Sequence, residues 1–377
     1  MSKGKILILA NDTNYTYNLR DVLIEQFVAA GYEVALASNC LGFQDELRAM
    51  GCRLIELQVD RHSKNPLSDL SLLRVIFHVL RQERPDVVLT YNIKPNVYGG
   101  MVCARLGIPY IANITGLGVA FEREGLLRRI AEALYRIGMA RVACVMFQNA
   151  GDRRVFLDSK LLKPGTKVCL LPGSGVNLSK YQPIPYPDGK MVEFLFISRI
   201  MKEKGIDQYL DAAREIHARH PETRFHVCGR CEQDYEVLLR ALQEEGVILY
   251  HGSISDVSEM HRICACTVHP SYYPEGMSNV LLESCASARP IITTERPGCG
   301  EIVDDGINGF VVLEKDSADL VEKIERFLSL PWEVRRDMGL AGRAKVEKEF
   351  DRLIVAQEYL KALDSIMSRV PMKAKTP

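Results

Sequence analysis

Short apolar runs alternate with longer amphipathic segments along most of this 377-residue chain, and the alternation restarts after a proline-rich break. Lys5–Ala10 reads as a buried strand, Asn11–Asn18 as a polar loop, and Leu19–Ala30 as an amphipathic helix stopped by Gly31. Strands at Val34–Ser38, Leu54–Val59, Val87–Thr90 and Tyr110–Ile114 then alternate with helices at Glu46–Met50, Asp69–Arg84 and Val97–Leu106. A helical pattern over Glu124–Met146 follows, with a further strand at Val142–Phe147. Strands that run continuously apolar, each returned by a helix, predict a parallel sheet covered on both faces.

The cluster Pro183-Ile184-Pro185-Tyr186-Pro187-Asp188-Gly189 is the clearest linker signal. Beyond it the pattern resumes with strands at Phe194–Ser198, Arg224–Cys228, Ile248–His251, Cys266–His269, Ile291–Thr293 and Gly309–Leu313, separated by helical segments and followed by helices at Trp332–Glu349 and Ile354–Met367. The expected organisation is two α/β, doubly wound domains, 1–185 and 190–350, with 352–377 returning to the first. Ligands of such sheets collect at the carboxyl ends of the strands.

A net charge of zero hides an asymmetry: residues 1–180 hold 23 Lys/Arg against 16 Asp/Glu, and the remainder 25 against 32. The halves are therefore expected to face different partners. Met1–Ala10 lacks a small-residue cleavage site, and no apolar run approaches the roughly 20 residues needed to span a bilayer. A cytoplasmic location is expected. Eleven cysteines without a secretory signal argue for reduced thiols. Cys228/Cys231 and Cys264/Cys266 lack the companion ligands that a zinc site needs, and they read as inert thiols. The first strand leads into Asn11-Asp12-Thr13-Asn14 with no Gly-x-Gly-x-x-Gly, which excludes the usual dinucleotide turn.

The richest stretch is His269-Pro270-Ser271-Tyr272-Tyr273-Pro274-Glu275-Gly276-Met277-Ser278-Asn279-Val280-Leu281-Leu282-Glu283, a strand end, a loop and a helix start. The N–H groups of Gly276, Met277 and Ser278 at such a helix start favour an anion, and Glu275 and Glu283 can accept hydrogen bonds from hydroxyls. Together with Arg289-Pro290-Ile291-Ile292, Gly298-Cys299-Gly300-Glu301, Ser198-Arg199-Ile200-Met201-Lys202-Glu203-Lys204-Gly205 and Pro172-Gly173-Ser174-Gly175-Val176-Asn177, this stretch resembles glycosyltransferase family 4 over nearly the whole chain.

The resemblance implies the GT-B fold, two Rossmann-like domains facing across a cleft, and retention of anomeric configuration. It implies that Arg199 and Lys204 clamp a donor diphosphate, Glu275 meets the donor sugar, Glu283 the ribose, and the loops after Cys228 and His251 (Gly229 and His251 among them) the base. Arg199, Lys204 and Glu275 are then the catalytic candidates, and Asn279 joins the donor set. No Asp-x-Asp is present, and neither metal nor cofactor is expected. Other histidines, His261 and His269, read as structural.

Three loops of the first half, with Asn14 and Arg20, Lys94 and Asn96, and Thr115, Gly116 and Gly118, supply the acceptor candidates. The latter two loops resemble those of the subgroup that extends sugars on polyprenyl diphosphate. Many family members carry a His near the position of Thr115; this chain does not, so no catalytic His is assigned there. Arg123, Arg128, Arg129 and Arg136 accompany Leu126, Leu127, Ile130, Leu134 and Ile137, a basic amphipathic pattern expected to lie on an anionic membrane.

The function so implied is transfer of a hexose or N-acetylhexosamine from a UDP-sugar to a polyprenyl-diphosphate-linked sugar, in bacterial surface polysaccharide or glycan assembly at the inner membrane face. No nucleic-acid partner is expected. A UDP-sugar 2-epimerase-like enzyme, a transferase acting on a soluble acceptor, and a sugar-nucleotide-binding module without turnover are the alternatives.

Overall fold

The computed structural model describes residues 2–57, 66–121, 124–188, 190–254 and 256–368, which form two compact units. Unit 1 contains residues 1–175 and 352–377, and unit 2 contains 176–351.

Unit 1 runs β1 (Gly4–Asp12), α1 (Thr13–Ala29), β2 (Tyr32–Asn39), α2 (Gln44–Ala49), β3 (Cys52–Glu56), α3 (Pro66–Glu83) and β4 (Val87–Tyr91). A π-helical turn at Pro95–Gly99 then leads into α4 (Gly100–Leu106), β5 (Tyr110–Ile114), α5 (Leu126–Gly138), β6 (Cys144–Phe147), α6 (Ala150–Asp158) and β7 (Lys167–Leu170). All seven strands are parallel, in the order β3-β2-β1-β4-β5-β6-β7. The interior strands are apolar on both faces, as a doubly covered sheet requires.

Unit 2 runs β8 (Val192–Ile197), α7 (Ile206–Arg219), β9 (Thr223–Cys228), α8 (Glu236–Glu244), β10 (Leu249–Gly252), α9 (Ser258–Ile263), β11 (Cys266–His269) and α10 (Asn279–Ala286). It ends with β12 (Ile291–Thr294), β13 (Gly309–Val312), α11 (Ser317–Ser329) and α12 (Trp332–Glu349). Its sheet is also all parallel, in the order β10-β9-β8-β11-β12-β13. The chain then re-enters unit 1 as α13 (Arg352–Met367). Val355, Ala356, Tyr359, Ala362 and Leu363 of α13 are buried in the same cluster as Ile8, Phe27 and Leu36, so unit 1's core is completed by the far end of the sequence.

Three sequence expectations change. The expected loop Asn11–Asn18 is mostly helix, because the Asp12 carboxylate accepts the Tyr15 N–H (2.8 Å) and starts α1 at Thr13. The helix expected over Glu124–Met146 ends at Gly138, where the Tyr110 hydroxyl donates to the Gly138 carbonyl. A Cβ at Gly138 would lie 2.8 Å from the Val97 Cα, so the backbones meet too closely for a side chain.

The third concerns Pro183–Asp188, which is bound to unit 2 and is no linker. Arg289, fully buried, donates to the carbonyls of Ile184 (2.9 Å) and Pro185 (2.7 Å), and the Trp332 indole donates to Pro187 (2.6 Å). The division between units falls ten residues before the expected 185, at Gly175, and again at Asp351. Gly189 lies outside the described residues.

Candidate functional site

In each sheet the strand order reverses once, at β1/β4 in unit 1 and β8/β11 in unit 2, and the loops beyond such a pair diverge to leave room for a ligand. The residues singled out in unit 2 follow those strands: Arg199 and Lys204 lie after β8, and Glu275 lies after β11. Topology alone thus brings cation and carboxylate together from 71 positions apart.

Lys204, 5% exposed, forms an ion pair with Glu275. The Arg199 guanidinium carbon and the Lys204 ammonium lie 5.1 and 4.8 Å from the centre of the Tyr273 ring, which gathers both cations around one aromatic side chain. Arg199 also pairs with Glu232 at 3.0 Å. Gly205 (φ 77°) permits this approach, since a Cβ there would sit 2.2 Å from the Pro270 carbonyl oxygen. The two loops therefore touch backbone to backbone.

His269 is fully buried below Glu275, with its Nε2 3.6 Å from Glu275 Oε1, and neither ring nitrogen has a hydrogen-bond partner among the described residues. Burial drives the imidazole toward its neutral form. For Glu275, burial would raise the carboxyl pKa, but the charge of Lys204 outweighs it and holds the pKa at about 2. The site is thus an ion pair between a buried ammonium and a partly buried carboxylate, beside a buried imidazole.

The remaining donor candidates divide. Ser278 donates its N–H to the Gly298 carbonyl (2.7 Å), and Gly298 N–H is held by Glu301 (2.7 Å), so the expected anion-binding role of Ser278's N–H is corrected: it is already engaged. Met277 packs its side chain into the core of unit 2, and Gly276 is buried. Asn279 opens α10 with a buried amide oxygen that has no partner among the described residues. Glu283, part-buried, lies one turn into α10.

The loops after β8, β9 and β10 are joined edge to edge: Ser198 N–H donates to Cys228 (3.1 Å), Ile200 to Arg230 (2.9 Å) and Gly229 to Gly252 (2.7 Å). A Cβ on Gly229 (φ 147°) would lie 1.7 Å from the Ser198 oxygen, so only glycine fits. His251 is placed differently from a free base-binding side chain, because its Nε2 bonds His226 Nδ1 (2.9 Å) while His226 Nε2 meets Glu193 (2.6 Å). The cysteines are all free thiols; burial lifts Cys228 to about 12.

In unit 1 the acceptor candidates are more deeply engaged than expected. Arg20 is 5% exposed and lies 3.8 Å over the Tyr91 ring, and its Nε has no partner among the described residues. Lys94 pairs with Asp69 at 2.9 Å. Asn96 is corrected from acceptor contact to scaffold, since its buried amide accepts from Thr90 (2.6 Å) and donates to the Asn113 carbonyl (2.7 Å). Asn14 is exposed on α1 and accepts from Asn18. Thr115 receives a weak bond from Asn92 (3.4 Å), and Gly116 and Gly118 (φ 118° and 68°) turn the loop after β5.

On α5, Arg128 pairs with Glu124 and Glu132 and Arg136 with Glu132, so the helix is less basic than its arginines suggest. Arg129 has no ion pair among the described residues, and Arg123 lies outside them. Leu126 (75% exposed), Leu127 and Ile130 face solvent. No helix among the described residues is long and apolar enough to cross a membrane.

The sequence reading missed Tyr273, Glu232 and His269 as members of the cluster around Lys204 and Glu275. Tyr273 and His269 flank Glu275 in the stretch already singled out, but an aromatic or a histidine beside a strand end has no periodicity that separates a site from a core. Glu232 carries no such signal at all.

Residues 181–345 match the family of glycosyl transferases group 1, and residues 5–149 match the glycosyl transferase 4-like family. The chain is 26% identical over 346 residues (87% of this chain, 90% of the relative) to N,N'-diacetylbacillosaminyl-diphospho-undecaprenol alpha-1,3-N-acetylgalactosaminyltransferase of Campylobacter jejuni. It is 24% identical to the capsular polysaccharide biosynthesis glycosyltransferase CapM of Staphylococcus aureus, over 77% of this chain and 80% of that one. Among solved structures, Anabaena HepE in complex with UDP and glucose superposes with a TM-score of 0.78 at 17% identity, covering 96% of this chain and 100% of that one. A sucrose-phosphate synthase from Thermosynechococcus elongatus superposes with a TM-score of 0.80 at 17% identity, covering 97% and 100%. The chain has the GT-B fold and is a glycosyltransferase, with residues 181–345 of the group 1 type and residues 5–149 of the transferase 4-like type.

Proposed function

We propose that this glycosyltransferase moves a hexose or N-acetylhexosamine from a UDP-sugar to a sugar carried on polyprenyl diphosphate, with retention of configuration, in bacterial surface polysaccharide or glycan assembly. The observation that carries the reading is the Lys204–Glu275 pair beside Arg199 and Tyr273 at the β8/β11 reversal. A leaving diphosphate gains charge as the sugar–oxygen bond breaks, and fixed cations there stabilise the transition state more than the ground state.

Arg199 offers a planar fork and Lys204 a point charge to the phosphates. Glu275, paired with Lys204, can also accept hydrogen bonds from sugar hydroxyls, and the Asn279 amide oxygen, without a partner among the described residues, is a second acceptor. Glu283 would hold the ribose, and the joined loops at Gly229 and Gly252 the base. In this reading the acceptor hydroxyl attacks from the face the nucleotide leaves, a phosphate oxygen takes its proton, and no metal is required.

Support for the acceptor class comes from the Campylobacter relative, whose name specifies a diphospho-undecaprenol-linked sugar, and support for the nucleotide from the UDP in the Anabaena structure. The same reading places the protein at the cytoplasmic face of the membrane, with Leu126, Leu127 and Ile130 of α5 entering the interface and Arg129 near the headgroups. Incubation with a panel of UDP- and GDP-sugars, with and without a short polyprenyl-diphosphate sugar, tests it. Acceptor-dependent UDP release with product of the summed mass is expected. UDP release with a free epimerised sugar would instead favour the 2-epimerase-like alternative.

A further inference from the structure

The helices α3, α4 and α5 pack on the same face of the unit 1 sheet, with α4 between the other two. Between α3 and α4 lies an open groove of about 360 Å³. Its floor is Leu73, Phe77, Met101 and Val102, and its rim carries Arg74, His78 and Arg105. The rim residues are exposed, and neither arginine has an ion pair among the described residues. The carboxylates that α3 contributes are both directed elsewhere: Asp69 meets Lys94 and Tyr98, and Glu83 meets Lys5 and Arg53. α4 contains no acidic residue.

We propose that this groove binds an anionic phospholipid, one acyl chain on the apolar floor and the phosphate between Arg74 and Arg105. Charge complementarity selects the occupant. Exposed cations that have no ion pair among the described residues, beside an apolar slot, suit a molecule with a charged head and a hydrocarbon tail. The volume stands near the lower limit of small-molecule sites, enough for a chain and little else. On α5, Arg128 and Arg136 share the carboxylate of Glu132, and the helix adds the exposed apolar residues Leu126, Leu127 and Ile130 on the same side of the unit. This rests on the membrane part of the proposed function and adds a defined subsite to it.

The test is flotation of the full chain with phosphatidylcholine vesicles, with and without phosphatidylglycerol. Wild type should prefer the anionic vesicles. Arg74→Gln/Arg105→Gln should weaken that partition by about thirtyfold, taking about 1 kcal/mol per surface cation. Leu73→Gln/Phe77→Gln, which alters no charge, should also weaken it, with Met101→Gln as the substitute if that pair lowers the melting temperature. Loss with the arginine pair and no loss with either floor variant would mean delocalised attraction and overturns the groove; so does an unchanged partition of the arginine pair, or no vesicle binding at all. Turnover on a short soluble acceptor needs no membrane and separately tests the proposed transfer.

Discussion

Lys204 and Glu275 are each other's partner in a site where either charge alone would be expensive to bury. Removing one should destabilise the fold by about 3–5 kcal/mol, while Lys204→Met/Glu275→Leu together should cost much less. Urea unfolding of the two single variants and the double variant measures this as a double-mutant cycle, and additivity would show that the pair is not coupled. The pH dependence has a definite sign. The Glu275 pKa is depressed from 4.5 to about 2, so its contribution is fully present above pH 4.5 and disappears as pH falls toward 2. Melting temperatures across that window should fall more steeply for wild type than for the double variant. Arg199 is more exposed and held by Glu232, so Arg199→Ala should leave stability nearly unchanged and reduce turnover about a hundredfold, as loss of one transition-state donor does.

At the scale of elements, backbone contacts decide what side chains can do. Gly205→Ala would drive a methyl into the Pro270 carbonyl and separate the β8 and β11 loops, so donor binding is expected to weaken while the melting temperature drops; calorimetric titration with UDP checks it. The helices and strands were legible in the sequence because their apolar periodicity is strong, and Trp332–Glu349 was readable to its last residue. The start of α1 was not, since Asn, Asp and Thr signal loops as readily as caps, and only the Asp12–Tyr15 bond decides between them. The proline cluster was misread for a related reason: its partners Arg289 and Trp332 lie about a hundred residues or more away and supply the hydrogen bonds that a local reading cannot see. At the candidate site, Lys204 and Glu275 were readable from their motifs, whereas Asn96 and Ser278 looked available because sequence does not show which polar groups are already satisfied.

On the scale of the whole molecule, the chain closes unit 1 with its last described helix. Ending the chain after Asp351 would uncover the surface under Val355, Tyr359 and Leu363, and unit 1, despite having all its strands, should unfold or aggregate while unit 2 keeps its own core. Limited proteolysis of the truncated chain should then spare a fragment matching unit 2; survival of unit 1 alone would show that α13 is dispensable. The division of labour proposed for the two units makes the enzyme's chemistry a property of unit 2's β8/β11 reversal and its acceptor choice a property of unit 1. The most direct measurement of that claim is UDP release and product mass for wild type and Lys204→Met/Glu275→Leu, with a UDP-N-acetylhexosamine and a short polyprenyl-diphosphate sugar. Acceptor-dependent transfer by wild type, reduced by orders of magnitude in a variant that remains folded, is the predicted result, and equal transfer by the two proteins would contradict it.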